Sequence, residues 1–172
     1  MIYDIKQQDL RHKARLVVGG HVVDSTDHVV YSSNVHNISV RLLRLLVMKN
    51  NLNIMTGDIG NAFPTAPSME KIWSVAGVEF GDKHGLVVEI QRALYGMATT
   101  SRAFHEFLAD KLRRIGFIPS RADPDLWMKM NEEENGYDYI ATHVEDLIIM
   151  AKEPQRYMSM IEQEFAVRNI KH

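Results

Sequence analysis

The run Tyr139-Ile140-Ala141-Thr142-His143-Val144-Glu145-Asp146-Leu147-Ile148-Ile149-Met150 sets two adjacent carboxylates between two apolar, β-type runs, with no cation nearby. It reads as a hairpin in which Tyr139 to Thr142 ascend, Leu147 to Met150 return, and Glu145-Asp146 lie at the tip. Nothing in the folding of a hairpin requires acids there. Adjacent anions repel, and a divalent cation is the usual reason to keep them together. A solvated acidic turn is the alternative, because exposed acids are the norm.

A further carboxylate on another strand would favour the metal. Asn53-Ile54-Met55-Thr56-Gly57-Asp58-Ile59-Gly60-Asn61-Ala62-Phe63 is a short apolar strand ending in an acid, followed by a glycine and an aromatic. If its strand neighbours the hairpin, Asp58 converges with Glu145 and Asp146. Three carboxylates suit a two-metal nucleotidyl-transfer site, whose ions sit about 3.5–4 Å apart and clamp the attacking and leaving oxygens. Spacing alone is a weak argument, since 22 acidic residues offer many such triples.

At 172 residues the chain is one ordinary domain or two closely joined subdomains, long enough to bury a core. Hydrophobic residues are 45%, charged residues 24% and net charge is -2, a globular composition. No apolar run approaches the ~20 residues that span a bilayer, and no signal-peptide pattern opens the chain. The absence of cysteine excludes disulfides and thiolate chemistry and fits a reducing compartment. The near-neutral charge counts against strong nucleic-acid binding by the chain alone. Basic residues do concentrate at Arg11-His12-Lys13-Ala14-Arg15, at Arg41 and Arg44, and at Lys111-Leu112-Arg113-Arg114.

Along the chain, residues 1–12 read as polar and loosely held. Short β-like runs are expected at Arg15–Val18 and His28–Tyr31, around the turn signal Gly19-Gly20. Ile38–Lys49 predicts an amphipathic helix capped by Asn37, with Ile38, Leu42, Leu45 and Leu46 as its core stripe. A strand pair at Lys71–Val75 and Leu86–Gln91 follows a Pro64/Pro67 loop. A helix over Ser101–Ile115, with Phe104, Phe107, Leu108, Leu112 and Ile115 on one face, stops at Gly116. Strands at Leu126–Met130, Tyr139–Thr142 and Leu147–Met150 precede a last helix from Pro154 to Phe165. The order fits an antiparallel sheet with helices on one face, the α+β class. No HExxH-like spacing links the histidines, and the methionines read as core filler.

Four runs occur in a telling order: Lys13-Ala14-Arg15-Leu16-Val17, Gly57-Asp58-Ile59-Gly60-Asn61-Ala62-Phe63, Ala93-Leu94-Tyr95-Gly96-Met97 with Ser101-Arg102-Ala103-Phe104, and His143-Val144-Glu145-Asp146. Together they resemble the reverse transcriptase of copia-type long-terminal-repeat retrotransposons, over nearly the whole chain from about Lys13 onward. The resemblance implies an RNA-directed DNA polymerase with a palm-like antiparallel sheet and a fingers-like subdomain. Residues 1–52 would be fingers-like and 53–172 palm-like, with 71–91 an inserted strand pair returning to the fingers. A thumb, connection and RNase H region would normally follow, so the chain reads as a fragment or truncated copy. Implied partners are an RNA or DNA template-primer and deoxynucleoside triphosphates, in an intracellular setting (a cytoplasmic particle or the nucleus) without secretion or membrane. A dimer is one assembly open to it. Two Mg²⁺ ions, or Mn²⁺, are the implied cofactors.

The resemblance also assigns roles. Asp58, Glu145 and Asp146 become the catalytic and metal-holding acids. Phe63, five residues after Asp58, becomes the aromatic beneath the nucleotide sugar that excludes a 2′-hydroxyl; read alone it is a core aromatic. Lys13 and Arg15, on one side of an alternating strand, become triphosphate contacts, with a solvated strand face as the competing view. Tyr95, Gly96 and Arg102 become template-primer and base contacts, where a plain turn into a helix is the alternative. The chain departs from the family pattern at four places, of which the change at Glu145 and the lost arginine argue for decay. Glu145 stands where the family has Asp in Tyr-Val-Asp-Asp, and His143 replaces the Tyr. Val18-Gly19-Gly20 lacks an arginine, and Ala98-Thr99-Thr100-Ser101 replaces Lys-Gln-Ala-Pro. A non-catalytic nucleic-acid-binding or assembly module is the alternative function.

Overall fold

A computed structural model describes residues 2–5, 12–19 and 32–172. In chain order its elements are β1 (Ile2–Ile5), β2 (His12–Arg15), α1 (Asn37–Asn50), β3 (Asn53–Ile59), α2 (Ala62–Thr65), β4 (Pro67–Val75), β5 (Val87–Arg92) and α3 (Thr100–Arg114). There follow β6 (Ile118–Pro119), β7 (Leu126–Asn131), β8 (Gly136–His143), β9 (Asp146–Ala151), α4 (Pro154–Glu162) and β10 (Val167–Lys171). A 3₁₀ stretch covers Val78–Lys83. The mixture of helices and antiparallel sheets is the α+β class expected. The chain forms two compact units: the described residues of Met1–Tyr31 and Phe63–Phe104, and Ser32–Ala62 with His105–His172.

The first unit holds two antiparallel ribbons, β1–β2 and β4–β5. The strand at Ile2–Ile5 corrects the reading of residues 1–12 as loosely held, because Ile2 to Ile5 pair in register with Arg15 to His12. The β-like run expected at Arg15–Val18 therefore begins earlier and ends at Arg15, while the one expected at 28–31 lies outside the described residues. β4 and β5 pair through Ile72↔Ile90 to Val75↔Val87.

The second unit is built on a six-stranded antiparallel sheet in the order β10-β3-β9-β8-β7-β6. Its central strands are rich in β-branched and aromatic side chains, which favour a pleated, buried surface. On β8, Asp138, Ile140 and Thr142 face one side of the sheet, and Tyr139 and Ala141 face the other. α3 and α4 attend the first side: Tyr157 of α4 donates its hydroxyl hydrogen to Asp138 at 2.7 Å, and Arg113 of α3 lies over Trp127, whose strand partner is Ile140. Phe117 and Tyr157 meet edge to face at 5.0 Å. Burial and the Asp138 bond push the Tyr157 hydroxyl far above the ordinary tyrosine range. α3 ends where expected, with Gly116 at φ 93°.

α1 covers part of the opposite side, where Leu43 joins Tyr139, Ala141 and Met150 in one cluster. Of the expected stripe only Leu46 packs against this cluster, so the buried face is rotated from the expected one. Leu43 is 1% exposed, whereas Ile38, Leu42 and Leu45 are 63%, 54% and 64% exposed. Hydrophobic spacing does not resolve the face, because Leu42-Leu43 and Leu45-Leu46-Val47 offer overlapping stripes. Nor is Asn37 the cap: His36 holds that place without a side-chain bond to the helix. The C-terminal strand β10 had no sequence expectation. It adds an edge to the sheet beside β3. Leu43→Ala should cost about 2–5 kcal/mol, as for other buried leucines. Leu42→Ala should stay within about 0.5 kcal/mol. Urea unfolding of the two variants compares the faces directly.

Candidate functional site

The β8–β9 hairpin is tighter than the sequence suggests. β8 continues to His143, which pairs with Asp146 at the start of β9, so Val144-Glu145 is the loop and Asp146 is a strand residue. A two-residue hairpin loop wants a positive φ at its first or at both positions. Val144 supplies that positive value at the first position, with φ 53°. A β-branched residue in that region is strained. The turn is held from outside: the Val144 N–H donates to Asn34 Oδ1 at 3.1 Å, and the Ile59 N–H donates to the Glu145 carbonyl at 2.9 Å.

The β3–β9 ladder runs in register from Asn53↔Ala151 to Asp58↔Asp146. Asp58 and Asp146 are thus direct cross-strand partners, with Cα atoms about 4.5–5.5 Å apart and side chains on the same face. Asp58 is half-buried and Asp146 exposed. Glu145, half-buried, sits in the turn beside them. Among the described residues no group of three or more His, Asp or Glu side chains is arranged to hold a metal ion. The geometry joins Asp58 to Asp146 without completing a triad through Glu145.

Two more side chains extend the acidic row. Arg168 of β10 is the register partner of Asp58, and His143 that of Asp146, giving Arg168–Asp58–Asp146–His143 across four strands. Gly60 allows Arg168 to lie close: a Cβ there would fall 2.6 Å from Arg168 Nε and 3.1 Å from the Ala166 carbonyl.

In the first unit, Phe63 packs its ring 4.8 Å from Tyr95 and 6.1 Å, edge to face, from Phe104. The Arg15 guanidinium lies 5.7 Å over the Tyr95 ring, a cation–π distance. Lys13 pairs through its backbone with Asp4, and its side chain lies outside the described atoms. Tyr95 bridges to Val17, and its carbonyl accepts the Val18 N–H at 2.8 Å. Gly96 sits at φ 91°, and a Cβ there would fall 2.0 Å from the Val18 carbonyl oxygen, so a side chain cannot be accommodated. Arg102 lies in the first turn of α3, half-buried.

The approach to α3 is fixed by groups that no sequence motif marks. Buried Glu70 accepts the Thr99 N–H at 2.8 Å and also the Thr99 hydroxyl, while the Thr100 hydroxyl donates to the Leu94 carbonyl. An acid at a helix N-terminus also suits the helix dipole. The two threonines thereby restrain the segment where the family pattern has a proline.

Comparison with known proteins accords with this geometry. The family model described as reverse transcriptase (RNA-dependent DNA polymerase) matches residues 1–171. The chain belongs to the reverse transcriptase family. It is 25% identical over 166 residues to a retrovirus-related Pol polyprotein from transposon RE1 of Arabidopsis thaliana, covering 92% of this chain and 11% of that protein. A second polyprotein, from transposon RE2 of the same plant, is 24% identical over 165 residues, with the same shares covered. This chain therefore spans about a tenth of the length of the curated relatives it matches. No solved structure matches it. Among the described residues no helix is long and apolar enough to cross a membrane.

Near the Asp58–Asp146 row lies a buried polar network without a sequence signature. Asp125 Oδ1 meets His105 Nε2 at 2.6 Å, its carbonyl accepts the Thr142 N–H at 3.0 Å, and its own N–H donates to Asp123 Oδ1 at 3.2 Å. Asp123 Oδ2 accepts the His36 N–H at 2.8 Å. Burial alone would raise the Asp125 carboxyl, but hydrogen bonds from His105, Ser33 and Thr142, with the charge of His105, outweigh it and hold the group below the ordinary carboxylate range. No motif signals this, since an Asp-Pro-Asp run before a strand reads as a turn.

A carboxyl depressed in the folded state stabilises above its unfolded value, and that stability is lost as pH falls through the folded value. Asp125→Asn should therefore cost about 1–3 kcal/mol at neutral pH, the usual cost of breaking a buried hydrogen bond. The gap between wild type and variant should close as the pH is taken below about 4. Urea unfolding across that range is the measurement.

Proposed function

We propose that this chain is the fingers–palm portion of an RNA-directed DNA polymerase, with residues 1–52 and the strand pair within 71–91 fingers-like and the rest of 53–172 palm-like. The carrying observation is the Asp58↔Asp146 pair on one face at the end of the central ladder. Like charges directly opposed across strands destabilise a sheet. Hard oxygen donors in that arrangement suit a divalent cation. The donor chemistry thus fits Mg²⁺ or Mn²⁺, with Asp58 and Asp146 as the holding residues and Glu145 as the intended third. Two such ions, when bound, supply activation of a primer 3′-hydroxyl and neutralisation of the departing pyrophosphate.

The chain's own side chains do the rest. Arg168, beside Asp58, offers a fixed positive charge on the same face, suited to triphosphate oxygens. Arg15 and Lys13 serve the triphosphate as well. Phe63, braced by Tyr95 and Phe104, presents an aromatic surface to the deoxyribose and excludes a 2′-hydroxyl. Tyr95, Gly96 and Arg102 meet template-primer, Gly96 through the close backbone approach that glycine permits. The reaction is attack of the primer 3′-hydroxyl on the α-phosphate of a deoxynucleoside triphosphate, with RNA or DNA as template, inside the cell.

Glu145 sets the level of activity. It is about 1.5 Å longer than the aspartate of the family pattern. Magnesium demands near-octahedral ligands at about 2.0–2.1 Å, and misplacement of about 1 Å can cost a hundredfold in rate. We therefore read this copy as a weakened polymerase. That same substitution favours a second reading, a module that binds template-primer without turnover.

Primer extension by the chain joined to a related thumb distinguishes the two. With Mg²⁺ the unmodified chain should extend poorly, Glu145→Asp should raise the rate about tenfold or more, and Asp58→Asn should abolish extension. Equal, measurable rates for the unmodified chain and its Glu145→Asp variant would contradict the geometric argument. Template-primer binding without extension by every variant would support the module.

A further inference from the structure

The segment Ser32–His36 leads into α1, yet Asn34 and Val35 bond to the acid-bearing hairpin and His36 to Asp123. The Val35 N–H donates to the Thr142 carbonyl at 3.1 Å, and the His36 N–H to Asp123 Oδ2 at 2.8 Å. Asn34, 110 residues before its partner, accepts the Val144 N–H at 3.1 Å through Oδ1. That amide belongs to the one loop residue held at positive φ, and a valine is there against its preference. Beneath the same strand end, the Asp125 carbonyl takes the Thr142 N–H, and the Asp125 carboxyl engages His105 Nε2. The strained turn is thus gripped at two points, the Val144 N–H and, through Ile59, the Glu145 carbonyl, and the strand leading into it is held at Thr142.

We propose that Asn34 is a positioning residue of the acidic hairpin: by accepting the Val144 amide it holds the left-handed turn that sets Glu145 and Asp146 beside Asp58. Asn34 touches neither substrate nor metal, and it acts through the backbone of Val144. The inference rests on the reading of Asp58 and Asp146 as a divalent-metal pair for its consequence, and on the hydrogen bond and the turn alone for its mechanism. Glycine adopts positive φ without penalty, so the need for Asn34 should largely vanish when Val144 is glycine. A side chain that merely stabilised the fold would show no such dependence.

Two readouts on the full chain test this. In amide hydrogen exchange followed by NMR, Asn34→Ala should speed exchange at Val144 by about 2- to 12-fold, the worth of one hydrogen bond, while Met55 and Thr56 in β3 keep their rates. Asn34→Asp, which retains the acceptor, should restore protection. In Mn²⁺ titration followed by the ion's paramagnetic resonance, Asn34→Ala should weaken binding by about the same factor in the Val144 background and by less than about twofold in Val144→Gly. Unchanged exchange at Val144 in Asn34→Ala, or equal Mn²⁺ losses in both backgrounds, would overturn the proposal. If the unmodified chain binds no Mn²⁺, the metal reading fails instead, and exchange at Val144 still decides whether Asn34 holds the turn.

Discussion

The register between β3 and β9 is the constraint from which the rest follows. Because side chains alternate with a period of two, a slip of one residue would send Asp58 and Asp146 to opposite faces. The ladder is pinned by its interior. Met55 and Ile59 on β3, with Leu147 and Ile149 on β9, are almost fully buried on one face. Any slip would expose that set and bury the acids. Hydrophobic burial, about 25 cal/mol per Å² of apolar surface, thereby fixes the position of two charged groups that contribute nothing to the core.

Holding two carboxylates opposite one another works against folding, and the surroundings reflect this. Arg168 arrives from β10 on the flank of Asp58, and the strained Val144-Glu145 turn is fastened by bonds from Asn34 and Ile59. Strain of this kind persists only where neighbouring structure over-determines it, and it gathers at functional sites. The buried Asp123–Asp125 network extends the fastening to α3 through His105. A sheet, a turn and a polar network therefore converge on the Asp58–Asp146 pair, for which a bound cation is the proposed role.

Much of this is legible in the sequence, and unevenly. Alternation and turn residues mark the β7–β8–β9 meander, the α3 face from Phe104 to Leu112 and the start of α4 at Pro154, because long periodic segments carry strong local signals. The pairing of Asp58 with Asp146 is foreseeable only as a convergence, since register is a tertiary property. The stripe of α1 is misread from spacing because neighbouring leucines allow two faces, and packing chooses Leu43. β10 leaves little sign: Val167-Arg168-Asn169-Ile170 has weak local preference and is a strand only because the edge of β3 is there to pair with it. Arg168 is hidden with it. Asn34 and Asp125 are beyond reach for a similar reason, as bonds spanning 110 and 20 residues leave no periodic trace.

If Asp58 and Asp146 share a divalent cation, as proposed, Mg²⁺ should stabilise the folded chain through that pair. Thermal unfolding with and without Mg²⁺ tests it most directly. The account predicts that Mg²⁺ raises the melting temperature of the unmodified chain, by mass action on the folded state. It predicts further that Asp58→Asn is at least as stable as the unmodified chain without metal, because a like-charge pair is removed, and gains nothing from Mg²⁺. A chain indifferent to Mg²⁺, or an Asp58→Asn variant that responds to it as fully as the unmodified chain, would contradict the account.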